Sequence, residues 1–191
     1  MFVVTYSNHR ISDPEVMRAL AHPARMAIME AMYGGREGTA TEFAEICGLS
    51  PSATSYHLRA LAKVGMIEEA PGRGDGRERN WRSVHRGGYE VSGGPLASAE
   101  GQRAERDMLA AFLQRQNDRA ATWAARMGEE SPEWYDAAML ADTILLVTPE
   151  ELVDLNKQVV ELMRPYSRRE RESDPPEGGR QVAVTYRALP L

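Results

Sequence analysis

Within residues 51–63, Thr54, Leu58 and Leu61 recur at i, i+4 and i+7, the spacing of one buried helical face. Ser52, Ala53, Ser55, Tyr56 and Arg59 fall on the opposite face. Two hydroxyls, a phenol and a guanidinium side by side suit adaptable hydrogen bonding: serines to phosphates or base edges, Tyr56 to a phosphate or a sugar face, Arg59 to the backbone. The small apolar Ala53 suits a thymine methyl group. No side chain here is a strong guanine reader of the kind an arginine early in the helix would be.

Such a face reads nothing unless neighbouring elements hold it. Upstream, residues 41–47 form a short helical pattern with Phe43, Ala44, Ile46 and Cys47 expected inward, and Gly48 ends it. Ser50 is placed as the N-cap of the second helix, with Pro51 at the first position, where no N–H is needed. As a cap facing the same surface, Ser50 joins the expected contacts. Downstream, residues 66–70 are a short apolar run, 71–76 (P-G-R-G-D-G) are turn formers, and 77–84 return as a strand. A hairpin spanning 71–80 brings Arg73, Arg77 and Arg79 to its tip and flank, suited to phosphates or a minor groove. Its G-x-G-x-G pattern is no phosphate cradle, because no Lys-Ser/Thr follows and no helix begins there.

Over residues 11–86 the chain resembles the ArsR-type family of bacterial winged helix-turn-helix regulators. Three separated segments carry the likeness: L-A-H-P-A-R-M-A-I-M-E-A-M at 20–32, S-x-x-S-Y-H-L-R-A-L from Ser52, and the Gly-Arg hairpin. The resemblance implies a core helix opened by the H-P-A-R segment, a recognition helix at 51–63 and a wing at 71–80. It further implies binding to double-stranded DNA as a repressor, and for His57 a structural or phosphate-bonding role. The family's best-known activity, metal sensing, does not carry over. A thiolate site needs two or more converging cysteines, and Cys47 is alone; His9, His22, His57 and His85 are scattered along the sequence. No metal and no cofactor are expected. Cys47 is read as a small buried hydrophobe in preference to a redox sensor.

The formal net charge is −5, but local charge governs contact with phosphates. Across 51–86 seven bases (Arg59, Lys63, Arg73, Arg77, Arg79, Arg82, Arg86) face four acids (Glu68, Glu69, Asp75, Glu78), a modest basic footprint. With 42% hydrophobic residues, no apolar run of about 18, no leader pattern and one cysteine, the chain is expected to be cytoplasmic, without membrane association.

The expected fold class is mainly α with small β elements (α+β): a winged helix-turn-helix domain plus a helical C-terminal lobe with a terminal strand. Residues 1–10 are expected as an N-terminal strand or arm, 11–86 as the DNA-binding domain, 87–99 as a glycine-rich linker holding a loop or a short strand, and 100–191 as a dimerisation and ligand-sensing lobe. A long helix over 100–127 carries an apolar stripe that includes Met108, Phe112, Trp123 and Met127, too long for the wing module to cover, so a homodimer through these residues is expected. Thr148-Pro149-Glu150-Glu151 starts another helix, running to about Arg164. Residues 168–179 read as a charged loop, and 181–189 alternate as a half-buried strand. Trp123, Trp134, Tyr135, Met139 and Met163 could line a pocket for an apolar small-molecule effector, or equally form the lobe's packing. No catalytic constellation stands out, so the chain is not read as an enzyme. The competing readings are a winged-helix protein-interaction module without DNA binding, and a small-molecule-binding or enzymatic C-terminal lobe.

Overall fold

Each helix of the N-terminal half begins where a side chain satisfies its free N–H groups. In the computed structural model, which describes residues 2–4, 9–71, 78–85, 88–94, 97–168 and 170–191, Asp13 caps α1 (Pro14–Leu20), accepting from the Glu15 N–H at 2.7 Å. His22 caps α2 (Pro23–Tyr33). Thr39 and Glu42 form a reciprocal capping box on α3 (Ala40–Cys47), and Ser50 caps α4 (Pro51–Lys63). Three of these four helices open with proline at the first turn.

The described residues are mostly helical with two small sheets, and the chain divides into two units, Met1–Leu113 and Gln114–Leu191. In the first unit, β3 (Ile67–Ala70) pairs antiparallel with β4 (Asn80–Ser83), Glu69 opposite Trp81, as the two strands of the wing. A second sheet has the order β1 (Phe2–Val4), β5 (Tyr89–Val91), β2 (Arg10–Ile11), with β1 antiparallel and β2 parallel to β5. The segment expected as a linker, 87–99, therefore contributes the central strand of this sheet, the short-strand alternative at Tyr89. One core joins Met17, Leu20, Ile28, Met29, Phe43, Leu58, Leu61, Met66 and Val91.

The long helix departs from its expected role. α5 (Ala99–Arg126) buries Gly101, Ala104 and Met108 in the first unit's own core, and Ala111 and Phe112 pack half-buried against it. Met108 is fully buried there, so it is not part of a free dimer stripe. The reason is that α1 and the three-stranded sheet enlarge the module beyond a bare wing fold. The Arg18 guanidinium meets the Glu100 carboxylate at 2.7 Å, and Glu105 accepts from the Gly93 N–H at 3.1 Å, fixing α5 to that surface. Gly93 permits this approach: a Cβ there would lie 3.1 Å from both the Ala97 Cβ and the Glu105 carboxylate.

The second unit holds the rest of α5, a 3₁₀ turn at Met127–Glu129, α6 (Pro132–Ala137), α7 (Pro149–Met163) with its Thr148–Glu151 capping box, and a 3₁₀ turn at Arg164–Tyr166. The strand expected over 181–189 does not form. A strand needs a neighbouring edge, and here the segment is tethered by side chains instead: Thr185 donates to Gln116 at 2.9 Å, Tyr186 to Asn156 at 3.0 Å and Arg187 to Asn117 at 3.1 Å. Among the described residues no helix is long and apolar enough to cross a membrane.

Candidate nucleic-acid interface

The turn between α3 and α4 is set by Gly48, which closes α3 in the left-handed conformation (φ 63°) with its N–H on the Ala44 carbonyl. Leu49 donates to the same carbonyl at 3.1 Å. The Ser50 Oγ then accepts from the Ala53 N–H at 3.2 Å, and the Thr54 hydroxyl donates to the Ser50 carbonyl at 3.0 Å. With its oxygen used as a cap, the Ser50 hydroxyl keeps its proton for an outside acceptor.

On α4 the expected face is the observed one. Thr54, Leu58 and Leu61 are fully buried against α2 and α3, while Ser52, Tyr56 and Arg59 are exposed and Ala53 and Ser55 half-buried. Tyr56 is 64% exposed, a large aromatic held in water. On α3, Phe43 and Ala44 point inward, but Ile46, expected with them, is exposed. Phe43, Ala44 and Cys47 occupy the packed side, and Ile46 falls on its flank beside the exposed Leu49.

The wing root is anchored by Trp81, buried on β4, which exchanges two backbone hydrogen bonds with Gly38 at 2.8 and 3.1 Å. Thr41 on α3 donates to Glu78 at 3.1 Å. Its two described arginines are met by acids of the facing strand: Arg79 pairs with Glu69 at 3.0 Å and Arg82 with Glu68 at 2.8 Å. Arg59 makes no ion pair among the described residues. Arg73 and Arg77, expected at the tip, lie outside the described residues.

The histidines, far apart in sequence, meet in pairs. His9 and His85 stack with ring centroids 3.5 Å apart, and His22 lies 4.4 Å from His57. His57 thus turns toward α2, its Nδ1 buried without a hydrogen-bond partner. His22 Nδ1 accepts the Ala24 N–H at 3.2 Å. A proton on His22 Nδ1 would break that cap. The missed signal was His before Pro at a helix start, a capping position for any side-chain acceptor. Arg25, also unforeseen, sits half-buried beside the two rings and close enough to feel the Tyr56 hydroxyl, at the edge of the exposed α4 face.

Burial, then the Arg25 charge, holds His22 below its ordinary value of 6.5. Burial, then His22 and Arg25, does the same for His57. Both rings take up protons less readily folded than unfolded, so the unfolded chain binds more protons at acid pH. The stability they contribute is complete above the unfolded value of 6.5 and is lost as pH falls below it toward the folded values. His22→Asn keeps an oxygen to cap α2 and removes one titrating ring. Its melting temperature should therefore fall less than that of the parent between about pH 7 and about pH 5. Equal losses in thermal scans would show that the pair carries none of the acid sensitivity.

In the second unit, a cleft of about 490 Å³ is lined by Arg119, Thr122, Trp123, Arg126, Glu129, Glu130 and Arg180. Of the five residues expected to line a pocket, only Trp123 reaches it. Trp134 is half-buried under the Arg180 guanidinium (4.8 Å), while Tyr135 and Met139 are exposed and Met163 half-buried. Arg180 bridges to Glu130 at 2.7 Å, holding that carboxyl below its usual range. The walls of this cleft are charged, which suits an apolar effector poorly. Trp123 and Met127, expected at a dimer interface, are 40% and 41% exposed.

A family described as a helix-turn-helix domain matches residues 20–70. The matched stretch opens on Leu20 and α2, contains the whole α3–turn–α4 unit, and ends at the close of β3. The HTH-type transcriptional regulator YgaV of Escherichia coli K12 is 38% identical over 53 residues, 28% of this chain and 54% of the regulator. The chain thus spans about half the length of that curated relative. Among solved structures, a transcriptional regulator homologue from Pyrococcus horikoshii OT3 is similar at 18% identity and a TM-score of 0.32, over 55% of this chain and 92% of that one. YusO of Bacillus subtilis is similar at 15% identity and a TM-score of 0.33, over 79% and 83%.

Proposed function

We propose that the protein is a dimeric, sequence-specific DNA-binding transcriptional regulator, a repressor, that lays α4 in the major groove and the 71–80 wing on the adjacent backbone. The observation that carries this is the exposed polar face of α4, with Ser52, Tyr56 and Arg59 in water, on a segment that a helix-turn-helix family matches. The similarity to a named transcriptional regulator over this segment supports it. With Met108 in the core, Trp123 on the outer part of α5 and Met127 just beyond its end remain as the proposed dimer contacts. A two-fold dimer would present its two α4 helices to half-sites one helical turn, about 34–36 Å, apart.

The test is fluorescence anisotropy with duplex DNA from upstream of the protein's own gene against random duplex of equal length. Tighter binding to the former, with both affinities falling as salt rises, is expected. Equal affinity without salt dependence would overturn the reading.

The wing's internal ion pairs give a sharper check. Glu69→Gln releases Arg79 from its 3.0 Å pair. Both side chains are well exposed, so stability should change by less than about 1 kcal/mol. DNA affinity should rise, with the salt slope steeper by up to about one unit if Arg79 then meets a phosphate. An unchanged slope would place Arg79 away from DNA.

A further inference from the structure

The second unit carries an apolar surface that its own residues leave bare. None of the described residues of Gln114–Leu191 is buried. The exposure peaks between α6 and α7, where 138–148 runs without helix or strand, and Met139, Leu140, Ile144 and Leu146 are 86%, 97%, 80% and 102% exposed. No main-chain hydrogen bond among the described residues joins 139–147 to the rest of the unit. Large apolar side chains with unpaired main chain beside them mark a segment that is covered in the working assembly.

Charge identifies the cover. Residues 127–156 hold eight acids and no lysine or arginine. A segment of that sign is repelled by nucleic acid and by anionic membrane surfaces alike. Its complement follows in the same chain: 157–171 carries five bases against two acids. There Arg168 makes no ion pair among the described residues, and Arg171 lies over the Tyr166 ring at 4.7 Å, beside a tyrosine 67% exposed. Asp136, just before the apolar arm, and Asp142, within it, likewise make no ion pair among the described residues.

We propose that the 138–147 arm packs on the basic, Tyr166-bearing end of α7 in a second copy of this chain, and that the second copy returns the same contact. A chain with both signs on separate segments closes on itself in a two-fold pair, arm to basic tract and basic tract to arm, with no third partner needed. This rests on the dimeric reading above and supplies the C-terminal half of its interface.

Charge reversal tests it by sedimentation of the full chain at micromolar concentration. Asp136→Arg with Asp142→Arg makes the charges at the arm positive, like those of the basic tract; Arg168→Glu with Arg171→Glu makes those two positions of the tract negative, like those of the arm. Each alone should dissociate at least about tenfold more readily than the parent, and an equimolar mixture should re-form a dimer, because both contacts in the mixed pair are again opposite in sign. Asp136, Asp142 and Arg168 are exposed and Arg171 is half-buried, and folding of either variant is checked by its unchanged helical circular dichroism. A second variant, Leu140→Glu with Leu146→Glu, should weaken self-association by at least about tenfold through loss of the apolar contact. Parent-like dimerisation of all variants, a mixture that stays apart, or a monomeric parent would each overturn the proposal. None of these readouts involves DNA, so loss of operator binding by α4 variants would be told apart from failure of the arm contact.

Discussion

Met108→Asp should unfold the Met1–Leu113 unit and not merely separate two copies of the chain. Met108 is fully buried in one cluster with Met17, Leu20, Ile28 and Leu58, and the first half of α5 is held there by Arg18–Glu100 and by the Gly93 N–H on Glu105. No cation lies in that cluster to pair with a carboxylate. An uncompensated buried charge costs about 3 to 5 kcal/mol, a large share of the total stability of a domain this size. Met108→Leu, which conserves volume, should cost less than about 1.5 kcal/mol. Urea unfolding followed by circular dichroism measures both. A Met108→Asp variant with a parent-like unfolding midpoint that sediments as a monomer would place Met108 against a second copy.

That result bears on what a sequence of this kind discloses. The wing module was legible because its signals are local and agree with one another: Ser50 starts a helix, Gly48 turns one off, and Thr54, Leu58 and Leu61 mark one face. The contacts that misled are those between segments far apart in sequence. The stripe on α5 has one helical period throughout, yet its Met108 end is buried in one cluster with Ile11, Tyr89 and Val91, residues of a sheet whose pairing, Phe2 with Val91 and Ile11 with Val91, no local pattern announces. Alternation at 182–187 satisfied the rule for a half-buried strand, but a strand also needs an edge to join, and Gln116, Asn117 and Asn156 offer side-chain amides instead. For the same reason His22 and His57, thirty-five positions apart, gave no sign that their rings meet. The exposed face of α4 was legible because helix geometry alone fixes it, whereas Arg25, which a second helix brings beside Tyr56, was not.

Replacing both Ser55 and Tyr56 by alanine should strip operator selectivity while leaving the fold standing. Both lie on the face of α4 opposite Leu58 and Leu61, Tyr56 being 64% exposed and Ser55 half-buried. Inside the protein the Tyr56 ring meets the edge of the His57 ring, centroids 5.5 Å apart. Alanine favours helix more than either residue does, and surface changes of this kind stay within about 0.5 kcal/mol, so the melting temperature should hold to within a few degrees. At DNA the balance differs, because each lost base-edge contact removes about 1 to 3 kcal/mol of discrimination. Affinity for the operator should drop about tenfold or more, while affinity for random duplex, set by Arg59 and the wing, changes little. Anisotropy titrations on both duplexes, with thermal scans of the same samples, separate the two effects. A sharp fall in melting temperature with the affinity ratio intact would mean that this face packs inside the assembly, and that a different surface of the helix-turn-helix meets DNA.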